Sequence, residues 1–320
     1  MRLKSKMFIL VVGISIVIAG CSGGENINNQ HNEDITSSSE SNDSNKDKFP
    51  RKVMGGYGEI EVKTEPKRIV TTNYEDNVLA LGLTPLGSHR NPDDEDGHFD
   101  YLGEQLKDVE LVGDYNAFNF EKMISLQPDL IISTKYDYDE EKYKDLSKVA
   151  PVLTIDFTTM SWQEVHMVIG QALGKENEAK DFIDKYNKRE AEVKEKLKAA
   201  LEGKNVTYIN PNENNFWVWG TKTSNDVGPF LYQTIGLEPT PGLTDDGGEL
   251  TLEGLASLDP DVLFVSNSYY SEEYKESAIW KNLKAVKNDQ VYTLDKDFRI
   301  KMYYPIGASQ NLEELVSLLK

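Results

Sequence analysis

The sequence predicts an α/β chain built as two Rossmann-like lobes with parallel-rich sheets, joined by one long interlobe helix. Three observations carry this. First, residues 119–132 (NFEKMISLQPDLII) and 251–264 (TLEGLASLDPDVLF) share an ungapped pattern in which Glu121 matches Glu253, Ser125 matches Ser257, and Pro128-Asp129 matches Pro260-Asp261. Each copy reads as a short helix, a Pro-Asp turn and a buried strand. A single repeat at so long a period indicates two similar lobes rather than a solenoid. Second, short apolar runs alternate with helical segments, the pattern of a parallel sheet flanked by helices. Third, residues 176–200 form a long, mostly Lys and Glu segment with a sparse apolar stripe of Phe182, Tyr186, Val193 and Leu197, which suits a strut between lobes. Two lobes imply a cleft between them, where small-molecule sites often form.

In chain order, Arg2, Lys4 and Lys6 precede the short apolar run 8–18, a targeting segment too short to span a membrane. Residues 1–20 are read as a signal peptide. Ile18-Ala19-Gly20-Cys21 resembles the lipobox of bacterial lipoproteins, which implies cleavage before Cys21 and its lipidation. Cys21 is the only cysteine, so a disulfide framework is excluded. Residues 21–49 comprise that cysteine and a Ser-, Asn-, Asp- and Glu-rich tether expected to be disordered.

The first lobe is assigned to 50–174. It opens with a hairpin over 51–62, then strands at 67–71, 86–88, 130–132 and 152–155, and a helix over 162–173 ending at Gly174. The interlobe helix takes 175–202. The second lobe, 203–320, has strands at 206–209, 216–219, 262–265 and 291–294, a helix over 227–235, and a closing helix over 306–319.

Of 35 Lys and Arg, three lie in the signal, leaving 32 against 54 Asp and Glu, a net of −22. Such an acidic chain is unsuited to nucleic acid, whose phosphates need a cationic surface, and to adsorbing on an anionic membrane. Three histidines, His89, His98 and His166, lie beyond the tether, a poor supply for a bare zinc or manganese site. No GxSxG, P-loop or HExxH occurs, and no enzyme is expected.

Several stretches resemble the lipid-anchored substrate-binding proteins of iron–siderophore ABC importers: Pro66-Lys67-Arg68-Ile69-Val70, Leu79-Ala80-Leu81-Gly82, Pro85-Leu86-Gly87, both SLxPD copies, Leu231–Leu237 (LYQTIGL) and Ile279–Lys287 (IWKNLKAVK) running into Gln290-Val291-Tyr292. The resemblance covers essentially all of 50–320. It implies the class III periplasmic-binding fold and a monomeric receptor that hands a ferric siderophore to an ABC permease dimer driven by its ATPase, at the outer face of the cell membrane. It implies no cofactor, because the siderophore itself holds the iron. It also implies that Glu121 and Glu253, one per lobe, dock on the permease. Both carboxylates also suit a helix start, where the dipole favours them.

An iron already coordinated by its chelator calls for aromatic walls, hydroxyls and an Arg for chelate oxygens. Loops at the carboxyl ends of parallel strands are the expected place. Candidates there are Tyr74, Arg90, Trp217, Trp219, Tyr269, Tyr270, Arg299, Tyr303 and Tyr304. Trp217 and Trp219 share one strand face, which is either cleft or core. The tyrosine pairs are either ligand contacts or packing. Arg90 and Arg299 either meet the chelate or pair with carboxylates. Ferric-hydroxamate receptors often carry Trp-Gly-Arg-Gly before the Leu-Tyr-Gln helix; here the stretch reads Ser224-Asn225-Asp226-Val227-Gly228, with Asp226 near the Arg position. That departure weakens the likeness to hydroxamate receptors; fewer cations suit a neutral or cationic chelate better than a citrate type, so hydroxamate is slightly favoured, and Arg90 and Arg299 leave the citrate type open. A cobalamin or haem receptor of the same fold is the alternative.

Overall fold

The computed structural model describes residues 49–91, 94–114, 117–135, 140–222, 226–267 and 272–319. The signal, the tether and Cys21 lie outside the described residues. Among these, no helix is long and apolar enough to cross a membrane.

The hairpin Arg51–Gly55/Gly58–Val62 forms as expected, turning through Gly56-Tyr57. The first main sheet runs, edge to edge, through Ala117–Phe118, Glu110–Asp114, Gly87–Arg90, Ile69–Thr71, Leu130–Thr134 and Val152–Ile155. Every pairing is parallel except that of the two-residue edge strand. Ile69–Thr71, Leu130–Thr134 and the edge strand Val152–Ile155 are buried along their whole length, because helices cover both faces of a parallel sheet. The strand expected at 86–88 extends to Arg90 and so carries His89 within it.

The second sheet runs through Gly247–Leu250, Phe216–Trp219, Asn205–Pro211, Val262–Ser266 and Val291–Leu294, with Glu238–Pro239 pairing beside Asn205–Pro211. Here Phe216–Trp219 is antiparallel to both neighbours. The fold is therefore the predicted two-sheet α/β class, with one sheet mixed rather than parallel.

The repeat has a physical meaning. In each copy the residue before Pro adopts left-handed backbone, Gln127 at φ 47° and Asp259 at φ 44°. This uncommon conformation for a side-chain-bearing residue ends the helix abruptly. The Asp after Pro then accepts backbone N–H bonds from the start of the adjacent strand. Asp129 takes those of Lys67 (2.8 Å) and Arg68 (3.0 Å), and Asp261 takes that of Asn205 (3.0 Å). The motif thus fixes strand register in each lobe.

Helix Glu176–Ala200 forms with the expected bounds and buries Ala179, Tyr186, Val193 and Leu197. The closing helix, Pro305–Ser317, packs along it, tied by a bidentate Arg189–Glu313 pair at 2.6 and 2.7 Å. The helix expected over 227–235 is instead a turn, Val227–Pro229, followed by a π-helical turn, Phe230–Thr234. Pro229 lacks an N–H, and the bond from Ile235 N to Phe230 O (2.8 Å) widens the coil. Gly228 is obligatory, because a Cβ there would lie 1.8 Å from the Gly220 carbonyl oxygen.

Candidate functional site

A cleft of about 920 Å³ opens between the two sheets and the two long helices. The first sheet supplies Asn73 and Tyr74, His89 and Asn91, and Phe157 and Thr158, each at or just beyond the carboxyl end of a parallel strand, where open α/β sheets hold ligands. Ser161 and Glu164 form a reciprocal capping box that starts helix Trp162–Leu173 and sets Trp162 at the cleft wall. The Trp162 ring meets Tyr186 of the interlobe helix edge-on at 4.8 Å. From the far side come Arg299, Tyr303 and Tyr304, on the segment after the last strand, and Asp226.

Arg299 and Asp226 dominate the electrostatics. The Arg299 Nε donates to both Asp226 carboxylate oxygens at 3.0 and 3.2 Å, and Nη2 donates to Oδ2 at 2.9 Å. Asp226 Oδ1 also accepts the Val227 N–H at 2.8 Å. The guanidinium stands over the rings of Trp219 (5.5 Å) and Tyr303 (6.0 Å), a cation–π arrangement. Burial, and then Asp226, push the Tyr303 hydroxyl up to about 12.

A second polar cluster lies beneath the cleft. Glu75 and Asp76 are both buried, and burial raises each carboxyl to about 7. Thr71 donates to Glu75 at 3.2 Å, and His89 Nδ1 stands 3.9 Å from it. Asp76 accepts the backbone N–H groups of Ile306 (2.8 Å) and Gly307 (3.0 Å). It thereby holds the first turn of the closing helix, where a carboxylate meets unpaired donors and the positive dipole end. Lys296 reaches Asp94 (2.6 Å) and Asp100 (3.1 Å), so a second polar contact links the two sides.

Of the residues proposed from sequence, Tyr74, Arg299, Tyr303 and Tyr304 line the cleft. Tyr74 and Tyr304 are themselves largely buried, Tyr304 packing on Phe99 at 6.2 Å. Arg90 is exposed and does not line it. Trp217 and Trp219 do not line it either: Trp217 faces solvent, and Trp219 is buried beside Tyr208 at 5.3 Å. The reason is strand direction. Because Phe216–Trp219 runs antiparallel to Asn205–Pro211, with Trp217 opposite Asn210 and Val218 opposite Ile209, Trp219 at its end lies away from the carboxyl edge, whereas Trp217 sits at that edge and faces solvent. Trp219 meets the site at Arg299, whose guanidinium lies over its ring. Tyr269 and Tyr270 lie outside the described residues. Sequence reasoning missed Trp162, Phe157, Asn73 and Glu190; the Ser-Trp-Gln-Glu capping pattern was the available signal for the first.

Glu121 and Glu253 occupy equivalent exposed positions in the first turns of helices Phe120–Ser125 and Leu252–Leu258, capped by Asn119 and Thr251. Neither forms an ion pair among the described residues. Among those residues there is also no group of three or more His, Cys, Asp or Glu arranged to hold a metal ion. His166 is fully buried, and burial lowers it to about 4.

The family described as periplasmic binding protein matches residues 72–298. The chain is 31% identical over 314 residues to the Fe(3+)-citrate-binding protein YfmC of Bacillus subtilis, covering 93% of this chain and 92% of that one. It is 28% identical over 335 aligned positions to the iron(3+)-hydroxamate-binding protein YxeB of the same organism, covering 98% and 97%. Among solved structures, Staphylococcus aureus SirA complexed with staphyloferrin B superposes with a TM-score of 0.65 at 28% identity, over 84% of this chain and 97% of that one.

Proposed function

Because the chain belongs to the periplasmic binding protein family, whose members are solute receptors rather than enzymes, we propose that it captures a ferric siderophore in the interlobe cleft and delivers it to the permease of an ABC importer. The observation that carries this is the cleft itself. Its volume of about 920 Å³ is at the upper end for small-ligand pockets, roughly 300–1,000 Å³. It is walled by Phe157, Trp162, Tyr303 and Tyr304. Iron would arrive already coordinated, and the walls would contact the chelator.

The relatives' names span citrate and hydroxamate chelates, so likeness leaves the chelate class open. The charge of the cleft favours a hydroxamate type. Among the described residues that line it, Arg299 is the one Lys or Arg, and it is already paired with Asp226. Titrating the full-length chain in detergent with ferric ferrioxamine, ferric citrate, a ferric catecholate and cyanocobalamin tests the reading, with tryptophan fluorescence as the signal because Trp162 lines the cleft. Saturable quenching by a ferric chelate is expected. Saturation by cobalamin alone, or by none, would sink the proposal.

The remaining parts of the proposal concern delivery. Cys21 carries the lipid that keeps a monomeric receptor at the outer face of the membrane; Cys21→Ser should shift the protein from the membrane fraction to the medium. Glu121 and Glu253, matched on two lobes, suit a permease dimer with two equivalent cationic spots. The double variant Glu121→Ala/Glu253→Ala should bind the chelate with unchanged affinity yet import at less than about a tenth of the normal rate, the loss expected of two interfacial charges. Normal import by that variant would remove both residues from the docking surface.

A further inference from the structure

We propose that Asp226 is a specificity-determining residue: by occupying the Arg299 guanidinium, it makes the cleft reject ferric chelates with surplus negative charge, such as those bearing free carboxylates, and accept neutral or cationic ones. This rests on the ferric-siderophore reading of the same cleft and adds the charge class of its ligand.

The charge balance of the cleft supports it. Its charged lining residues are Glu190, Asp226 and Arg299, two carboxylates against one guanidinium, with His89 the remaining titratable ring. The neighbouring cations are engaged: Lys194, beside the lining residue Thr234, donates to its carbonyl oxygen at 2.9 Å. The segment that carries Arg299 also carries Lys296 and Lys301, but Lys296 is bound to Asp94 and Asp100, and Lys301 is buried against Asp295. The undescribed stretches between residues 49 and 319 contain no Lys or Arg, so none of them can supply one.

The Arg299–Asp226 contact has the forked geometry by which an Arg would otherwise hold a ligand carboxylate. Asp226 therefore takes the place of an anionic ligand group. A chelate with free carboxylates would have to displace Asp226 or sit beside it unpaired, and the second arrangement juxtaposes like charges. A tris-hydroxamate spends its three anionic groups on the ferric ion and carries no surplus negative charge into the cleft. Selectivity of this kind comes from a built-in repulsive element as much as from attraction.

Asp226→Asn is the informative variant, because its amide oxygen still accepts the Val227 N–H while its charge is gone. Full-length wild-type and variant chains in detergent are titrated with ferric ferrioxamine and with ferric citrate. The ratio of the two dissociation constants should favour ferrioxamine in the wild type. In the variant it should shift toward citrate by about tenfold or more, the scale of removing one like charge from a desolvated site; adding Arg299→Gln should cancel the shift. An unchanged ratio, or a wild type that prefers ferric citrate, overturns the assignment alone. Binding of neither chelate overturns this assignment, and the receptor reading falls with it only if the ferric catecholate also fails to bind. Should Asp226→Asn fail to fold, the wild-type preference measured against salt decides: a preference that shrinks as salt rises is expected, and one independent of salt overturns the role of charge.

Discussion

Replacing Asp76 with Ala is expected to destabilise the protein by about 3 kcal/mol. Two donors, Ile306 N and Gly307 N, lose their partner, and the Gly307 group is buried; leaving such a group unsatisfied costs roughly 1–3 kcal/mol, more when the partner was charged. For a chain of this size each kcal/mol lowers the melting temperature by roughly 2–4 °C, so thermal unfolding should move down by about 6–12 °C. A shift under about 1 °C would show that the contact contributes nothing measurable. The same cluster sets a pH dependence. Glu75 and Asp76 have ordinary values of 4.5 and 3.8, and burial raises both to about 7 in the folded chain. Between about pH 4 and 7 the folded state retains protons that the unfolded chain releases, so stability is fullest below that window and declines as pH rises through it. Glu75→Gln removes one of the two titrating groups and should flatten that decline.

Tyr303→Ala should weaken chelate binding by about tenfold or more, on the order of 1.4 kcal/mol. The side chain is half-buried, lines the cleft, and faces Phe157 across it at 6.4 Å while lying under Arg299. Truncation removes an aromatic wall of the kind that dominates binding sites. It also releases one of the two rings against which the guanidinium is stacked. Tyr303→Phe keeps the ring and should lose less. Fluorescence titration with the chelate that the wild type binds reads both variants, and equal affinity for wild type and Tyr303→Ala would remove this residue from the site. Tyr304 is a poorer probe, because its ring is also part of the first lobe's core and its loss mixes stability with affinity.

What the sequence revealed was local or periodic. The strut over 176–200 was legible because its stripe recurs at helical spacing, and the matched Asp129 and Asp261 were legible because one job is done twice at one sequence offset. That Arg299, Tyr303 and Tyr304 line the cleft was legible because they follow a strand. The pairs that make the site, in contrast, bring together residues far apart in the chain: Arg299 with Asp226, Lys296 with Asp94, Asp76 with Ile306 and Gly307. Composition and period carry no information about which of many carboxylates meets which cation. Trp219 lies off the cleft for a related reason: alternation gives the face of a strand but not its direction, and direction carries Trp219 away from the carboxyl edge, while Trp217, opposite Asn210, stays near that edge but turns to solvent.

The closing helix, which the chain joins to the second lobe, is fastened by Asp76 to the first. With two attachments the helix is a brace across the gap between the lobes, and on the proposed reading it would act as a calliper, favouring a bulky chelate that spans both jaws over a bare ion that reaches only one.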